Sequence, residues 1–325
     1  MSYLDETVKF GCRSVQEYAM VTGQLVRPVE GNGMERRELE TVIYEKDGPV
    51  ARIILNRPEK ANAQSSPMVW DVENSLKDAE ADYAIKVVVM KANGGGFSAG
   101  HDVGSGGGPP FPEFAAAMDA GHPWGGPATL FMWPVLHLWE FQKPTVAAVH
   151  GYCVGGGTYF ALLNDIVVAS EDAYFQMPLP QGLGFPGGET MIEPWVMMNF
   201  HRAYEYLYLS QTIDAREAHR LGMVNRVVPR DELDQTVELV AQQIAQAPLS
   251  VLMGIKAGVK RAWEGMGMRV HLQSHLQVME SVGRAGDVAA WREENAAKGY
   301  GVSPRQVAAR RAEAAAEALQ ARTER

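Results

Sequence analysis

Two glycine-punctuated turns carry the chemistry this chain can do: Gly94-Gly95-Gly96-Phe97-Ser98-Ala99-Gly100-His101-Asp102 and His150-Gly151-Tyr152-Cys153-Val154-Gly155-Gly156-Gly157. Each follows an apolar run that reads as a buried strand, Val87 to Met90 and Val146 to Val149. Gly155 to Gly157 then open Thr158 to Leu163, an apolar segment that reads as a buried helix. A strand, a glycine turn and a helix N-terminus present backbone N–H groups that lack intrahelical acceptors, and such a place holds negative charge. One glycine triplet alone would be no more than a tight connection. Two turns facing each other would give two N–H donors to one oxygen, an oxyanion hole that needs no side chain.

The elements that must position these turns can be read along the chain. Residues 1–39 have no sustained helical or strand period and read as an N-terminal extension. Thr41 to Tyr44 and Val50 to Leu55, joined through Lys46-Asp47-Gly48, predict a hairpin. A loop, Arg57 to Ala63, leads to a helix starting at Ser65 or Ser66 before Pro67 and running to about Ala79. Val103 to Ala128 is so rich in Gly and Pro that it predicts no regular structure beyond a short helix over Glu113 to Met118. Leu130 to Phe141 is an apolar, tryptophan-bearing helix. Strands are expected over Asp165 to Ser170, Ala173 to Gln176 and Met223 to Val228, and helices from near Glu189, from Arg202 to Leu209, and after an Asp214 N-cap. From Glu232 the chain is helical, with breaks near Pro248 and Gly265 to Gly267; its Ala-, Glu- and Arg-rich end, 305–325, is a solvated helix or frayed end.

Composition excludes several classes. Hydrophobic content of 46% with 21% charged residues is that of a globular protein able to bury a core, and a formal net charge of -9 argues against a general nucleic-acid binder. No apolar run reaches membrane-spanning length, and the N-terminus lacks a basic-then-apolar leader pattern, so a cytoplasmic protein is expected. Two cysteines make no disulfide framework, and Cys153, flanked by apolar residues, reads as a packing residue rather than a nucleophile. Nothing in the sequence calls for a metal, nicotinamide or flavin. His271 and His275 share a helix face, but lack a glutamate between them or a third ligand; they read as surface or interface histidines. The stretch after His101-Asp102 does not give a dinucleotide fingerprint in a strand-to-helix context.

The segments GGGFSAGHDV and AAVHGYCVGGG resemble the two signature segments of the crotonase (enoyl-CoA hydratase/isomerase) family. The likeness extends through LNRPEKANA, LLNDIVVASEDAYFQMP and LSQTIDAREAHRLGMVNRVVP, from roughly Glu40 to Glu264. It implies an α/β fold, a spiral of ββα units: a core over 40–248 and a C-terminal helical region over 249–325 that assembles trimers, which can pair into hexamers. It implies an acyl-CoA thioester as partner, with coenzyme A part of the substrate and no separate cofactor. The N–H groups of His101 and Gly156 match the family's oxyanion hole. The resemblance implies Lys60, Ala61, Ala63, Ala99 and Gly155 as substrate- or coenzyme A-binding residues, the loop backbone lining the adenine and pantetheine end.

One feature of the family pattern is missing. Family hydratases place two glutamates to move protons, and the matching positions here hold Tyr159 and Leu179. Leucine transfers no proton, and a tyrosine would need a strongly shifted pKa to act as a base near neutrality. Glu189, after Pro186-Gly187-Gly188, is the first candidate replacement, with Tyr159 as a donor to an enolate. Glu113, Asp119, His122 and His137 are weaker ones, and Asp102 is expected to brace its turn. The adopted reading is an acyl-CoA enzyme of the hydratase/isomerase type, its outcome hydration, isomerisation, decarboxylation or C–C cleavage of a bulky or cyclic substrate. A catalytically silent acyl-CoA-binding subunit is the alternative, and a pure scaffold the third.

Overall fold

The computed structural model describes residues 33–102 and 127–297. Its strands are β1 (Glu35–Glu38), β2 (Val42–Asp47), β3 (Val50–Leu55), β4 (Val87–Ala92), β5 (Thr145–Val149), β6 (Tyr152–Val154), β7 (Ile166–Ser170), β8 (Tyr174–Gln176), β9 (Thr212–Asp214) and β10 (Arg226–Val228). Seven of them form one sheet in the order β1-β2-β3-β4-β5-β7-β10, antiparallel at the β1, β2, β3 edge and parallel from β3 onward. β6, β8 and β9 form a smaller sheet. Successive strand pairs, β5 with β6 and β7 with β8, give one strand to each sheet. That is the repeating turn of the expected ββα spiral.

Helices fill the connections: α1 (Ser66–Ala81), α2 (Pro127–Glu140), α3 (Gly156–Leu162), α4 (Leu179–Leu183), α5 (Glu193–Met197), α6 (Phe200–Tyr208), α7 (Ala215–Arg220), α8 (Leu233–Ala245), α9 (Leu249–Gly265), α10 (Met268–Gly283) and α11 (Gly286–Ala297). Val87 to Met90 of β4 and Val146 to Val149 of β5 are apolar at every position because both faces are covered. Val88, Met90, Ala147 and Val149 join the cluster that holds Val72 and Leu76 of α1 and Phe160 of α3, while Val87, Val89, Val146 and Ala148 pack on Leu233, Val237 and Val240 of α8. Asp214 caps α7, accepting from the Glu217 N–H at 2.8 Å, as expected.

Four details differ from the sequence reading. Glu35–Glu38 is a strand of the main sheet rather than part of an unstructured extension. Its all-polar sequence carries no alternation, and its place is fixed by the ladder to β2 and by Arg37 reaching Asp78 of α1 at 3.1 Å. No helix starts at Glu189; the chain runs non-helically to Ile192 before α5. β10 is shorter than Met223 to Val228. His275 is buried rather than a surface or interface residue, and His271 accepts a hydrogen bond from Trp195 Nε1 at 2.8 Å. The expected helix over Glu113 to Met118 and the 305–325 tail lie outside the described residues.

α2 is tied to α1 by a charge cluster. His137 Nδ1 lies 2.7 Å from Glu73 and Nε2 3.5 Å from Glu80, with Lys77 3.2 Å from Glu73. Burial works against the His137 cation, but the two carboxylates prevail and raise it from 6.5 to about 9. A folded pKa above the unfolded one stabilises fully below pH 6.5, and the effect is lost as pH rises through about 9. The shift corresponds to on the order of 3 kcal/mol. His137→Gln is expected to lower the urea midpoint clearly at pH 6, with the gap to wild type closing above pH 9. A pH-independent gap would mean that packing, not charge, carries the effect.

Candidate active site

The two glycine turns meet as the sequence suggests. Ser98 bridges Cys153, and the Val154 N–H donates to the Ser98 carbonyl at 2.9 Å. Gly100 adopts φ +91, and a Cβ there would lie 2.7 Å from the Val154 carbonyl oxygen and 3.1 Å from the Gly156 nitrogen. Only glycine permits that approach, which lays the residue before His101 against the Gly155-Gly156 backbone. Gly156 is the first residue of α3, so its N–H has no acceptor within the helix. A Cβ on Gly157 would strike the Ser98 carbonyl oxygen at 2.7 Å, a second point of close contact. The Gly156 N–H thus stands at the positive end of a buried helix, next to the turn that carries His101.

The loop before α1 is stitched to the first turn. Ala61 and Asn62 hold left-handed conformations, φ 54 and 49, which expose their carbonyls: Ala61 accepts from the Ala99 N–H at 3.0 Å and Asn62 from the Ser98 hydroxyl at 2.8 Å. The Asn62 side chain closes the loop, accepting from the Arg57 N–H at 2.8 Å and donating to the Asn93 and Gly96 carbonyls. Arg57 donates to Asp102 at 2.6 Å and to the Ala63 carbonyl at 3.1 Å, so Asp102 does brace the turn. Ala61, Ala63 and Ala99 are thereby gathered beside the oxyanion turn, with Lys60 exposed at the loop's outer edge. Gly155, at φ 54, donates its N–H to the Gln176 carbonyl at 2.9 Å.

Of the candidate proton-transfer residues, the structure brings Glu189 and Tyr159 to the turns. Glu189 is buried, and its Oε1 lies 3.3 Å from His101 Nδ1. The His101 ring in turn covers Gly156, whose Cβ, if present, would fall 2.3 Å from His101 Nε2. Burial works to raise the Glu189 carboxyl, but the charge and hydrogen bond of His101, with the Glu189 peptide, hold it below the usual carboxylate range. Glu189 is therefore a carboxylate at neutral pH. Tyr159, 1% exposed, accepts from the Gly188 N–H at 2.9 Å, and a Cβ on Gly188 would overlap the phenol. Burial, then the charges of Glu193 and Glu189, push Tyr159 well above its ordinary value, so it holds its proton and cannot serve as a base. Leu179 begins α4, packed on the core. His137 belongs to the α1–α2 cluster, away from these groups, and Glu113, Asp119 and His122 lie outside the described residues.

Sequence reasoning did not find three side chains of this neighbourhood. Gln64, 1% exposed, places Oε1 within 2.5 Å of the Cβ position of Gly156 and leaves Nε2 without a protein partner. His275 of α10 has its Nε2 3.7 Å from the Cβ position of Gly187, and burial and His271 lower it to about 4, so the ring is neutral. Glu193, 2% exposed, has both carboxyl oxygens without a hydrogen-bond partner. Only tertiary packing brings these residues from α5, α10 and the α1 approach to the turns. Among the described residues no group of three or more His, Cys, Asp or Glu is placed to hold a metal ion, and no helix is long and apolar enough to cross a membrane.

Comparison with known proteins agrees with the fold. The family model described as enoyl-CoA hydratase/isomerase matches residues 45–294. A candidate enoyl-CoA hydratase of Mycobacterium tuberculosis is 32% identical over 271 residues, 79% of this chain and 85% of the relative. The short-chain-enoyl-CoA hydratase of Clostridium acetobutylicum is 32% identical over 225 residues, 68% of this chain and 81% of its own. The crystal structure of an enoyl-CoA hydratase/isomerase from Xanthobacter autotrophicus Py2 superposes with a TM-score of 0.71 at 31% identity, covering 84% of this chain and 98% of that one.

Proposed function

Because this chain belongs to the enoyl-CoA hydratase/isomerase family, we propose that it binds an acyl-CoA thioester, polarises its carbonyl with the N–H groups of His101 and Gly156, and stabilises the enolate that results. The observation that supports this reading is the contact of Gly100 with Gly155-Gly156, which brings the turn before His101 against the N-terminus of α3. Charge developing on the thioester oxygen would meet two fixed donors and the α3 N-terminus in a dry site, where such donors act most strongly. Glu189, ionised and buried, is the base for the α-proton, and His101 holds it in place. Tyr159 stays protonated and shapes the pocket floor. Coenzyme A runs along Lys60, Ala61 and Ala63, with Ala99 and Gly155 against the thioester and Lys60 free to meet a phosphate. Coenzyme A enters with the substrate, and no other cofactor takes part.

A test that does not presuppose the net reaction is deuterium uptake. Acyl-CoA thioesters with straight 2-enoyl, 3-enoyl, cyclic and aromatic acyl groups are incubated with the protein in D2O and followed by mass spectrometry. Exchange at the α-carbon is expected for at least one class; water gain on a 2-enoyl-CoA identifies a hydratase, and a shifted double bond an isomerase. Tight binding without exchange or product would replace the enzyme reading with a silent acyl-CoA-binding subunit. No binding would end both.

The assembly belongs to the same reading. Val251, Ile255 and Val259 of α9 recur every four residues and are 51%, 61% and 57% exposed in the single chain. Ile255 and Val259 also border an apolar groove of about 700 Å³ lined by Trp139, Trp195 and Trp263. A homotrimer, or a dimer of trimers, would cover this face, and sedimentation equilibrium is expected to return three or six chains. Ile255→Glu is expected to give smaller species, whereas a wild-type monomer would refute the assembly.

A further inference from the structure

Beyond Glu189 and His101, the site contains a second buried acid that the reading above does not use. Glu193 opens α5, is 2% exposed, and among the described residues neither carboxyl oxygen has a hydrogen-bond partner from another residue. Among the described residues no cation compensates its charge. Tyr159 of α3 and Tyr206 of α6 both feel the Glu193 charge, and Tyr206, 1% exposed, also has a phenol oxygen without a partner. Cys153 of β6, fully buried, also acts on Tyr206, and burial pushes its thiol up so that it stays neutral. His101 and the neutral His275 act on Glu189, and Glu193 feels neither of them. A lone carboxylate in such surroundings would be costly, because desolvation is offset by nothing but its own peptide N–H.

We propose that Glu193 is a positioning residue of the enolate site, acting through Tyr159, and that its carboxyl must be protonated for an enolate to be held over Gly156. Tyr159 sits one turn after Gly156 on α3 and feels the Glu193 charge, so a Glu193 carboxylate and an enolate over Gly156 would have this residue as a common neighbour. Two negative charges in a dry interior repel strongly. The acid form avoids this, and burial, the largest cause, still keeps Tyr159 protonated with its oxygen on the Gly188 N–H. Burial raises Glu193 to about 7, so the proton is held below neutrality and released above it. Enolate binding is therefore strongest below pH 7 and weakens as pH rises through the Glu193 titration. Glu193→Gln keeps the neutral shape at every pH and removes the loss.

The inference rests on the acyl-CoA reading, and its test separates the two. Acetoacetyl-CoA is the probe, because its enolate absorbs in the ultraviolet and its own titration cancels in a ratio of two proteins. Its dissociation constant is measured for wild type, Glu193→Gln and Glu193→Leu from pH 6 to pH 9. The expected ratio of wild-type to Glu193→Gln constants is near one at pH 6 and rises about tenfold or more by pH 9, roughly the effect of one ionisation opposing one charge. Glu193→Leu, also neutral, follows Glu193→Gln and serves if that variant fails to fold. A flat ratio overturns the proposal, as does loss of binding in both folded variants, which would make the carboxyl itself indispensable.

A wild type that forms no enolate at any pH would refute the acyl-CoA reading. The inference is then decided without ligand: an infrared pH titration must show a protonated-carboxyl band in wild type that disappears near neutrality and is absent from Glu193→Gln. Absence of that band from the wild type overturns the proposal by itself.

Discussion

Gly156→Pro is expected to lower kcat/KM on any accepted acyl-CoA by about 10²- to 10³-fold, the usual cost of removing one oxyanion donor. Proline is tolerated at the first position of a helix, because the N–H it lacks has no helical acceptor there, so α3 is expected to survive. The substitution is not silent in space: a Cβ at this position meets the His101 ring at 2.3 Å and Gln64 Oε1 at 2.5 Å. His101→Ala clears the first obstacle and keeps its own peptide N–H. The pair of measurements therefore separates the two effects. If the defect of Gly156→Pro persists in the His101→Ala background, a missing donor is responsible; if it disappears, displacement of His101 is. Near-normal activity in the single variant would show that the Gly156 N–H takes no part.

Much of this site could be read from sequence because it is made of backbone. Gly100, Gly155 and Gly156 announce themselves as glycines after apolar strands, and the strands do so because Val87 to Met90 and Val146 to Val149 are covered on both faces and apolar throughout. Those signals are local, a few residues long, and physical necessity writes them into residue type. β1 shows the opposite case. Glu35–Glu38 pairs at a sheet edge through backbone hydrogen bonds and ion pairs, so nothing in its composition marks it as a strand.

The polar interior was legible only in part. Glu189 stands out as an acid beside a glycine pair, but its partner does not: His101 attracts notice for its peptide N–H, and only the fold turns its imidazole toward Glu189. Glu193 in TMIEPWVMM looks like a helix-start acid facing solvent. Its burial follows from α5 packing on Tyr159 and Tyr206, contacts made across long stretches of chain. His275 fails in the same way, because a helix four-residue spacing places it with His271 without saying which side of α10 is covered.

Glu189→Gln separates the roles that the sequence left open among the acids. General-base transfer contributes about 10²- to 10⁴-fold, so α-deuterium uptake is expected to fall by that amount while acyl-CoA binding changes little. Tyr159→Phe is expected to cost less than about tenfold, since the phenol keeps its proton and supports packing and the Gly188 peptide rather than moving charge. The pH profile supplies the second readout. Glu189 is held below the usual carboxylate range by His101, so activity persists above its folded pKa and is lost as pH falls through it. Removing the imidazole in His101→Ala leaves burial unopposed by its largest partner. The Glu189 carboxyl then rises, and the acidic limb of the profile must move toward neutrality. A limb that stays in place, or a Glu189→Gln protein that exchanges at the wild-type rate, would take the base away from Glu189.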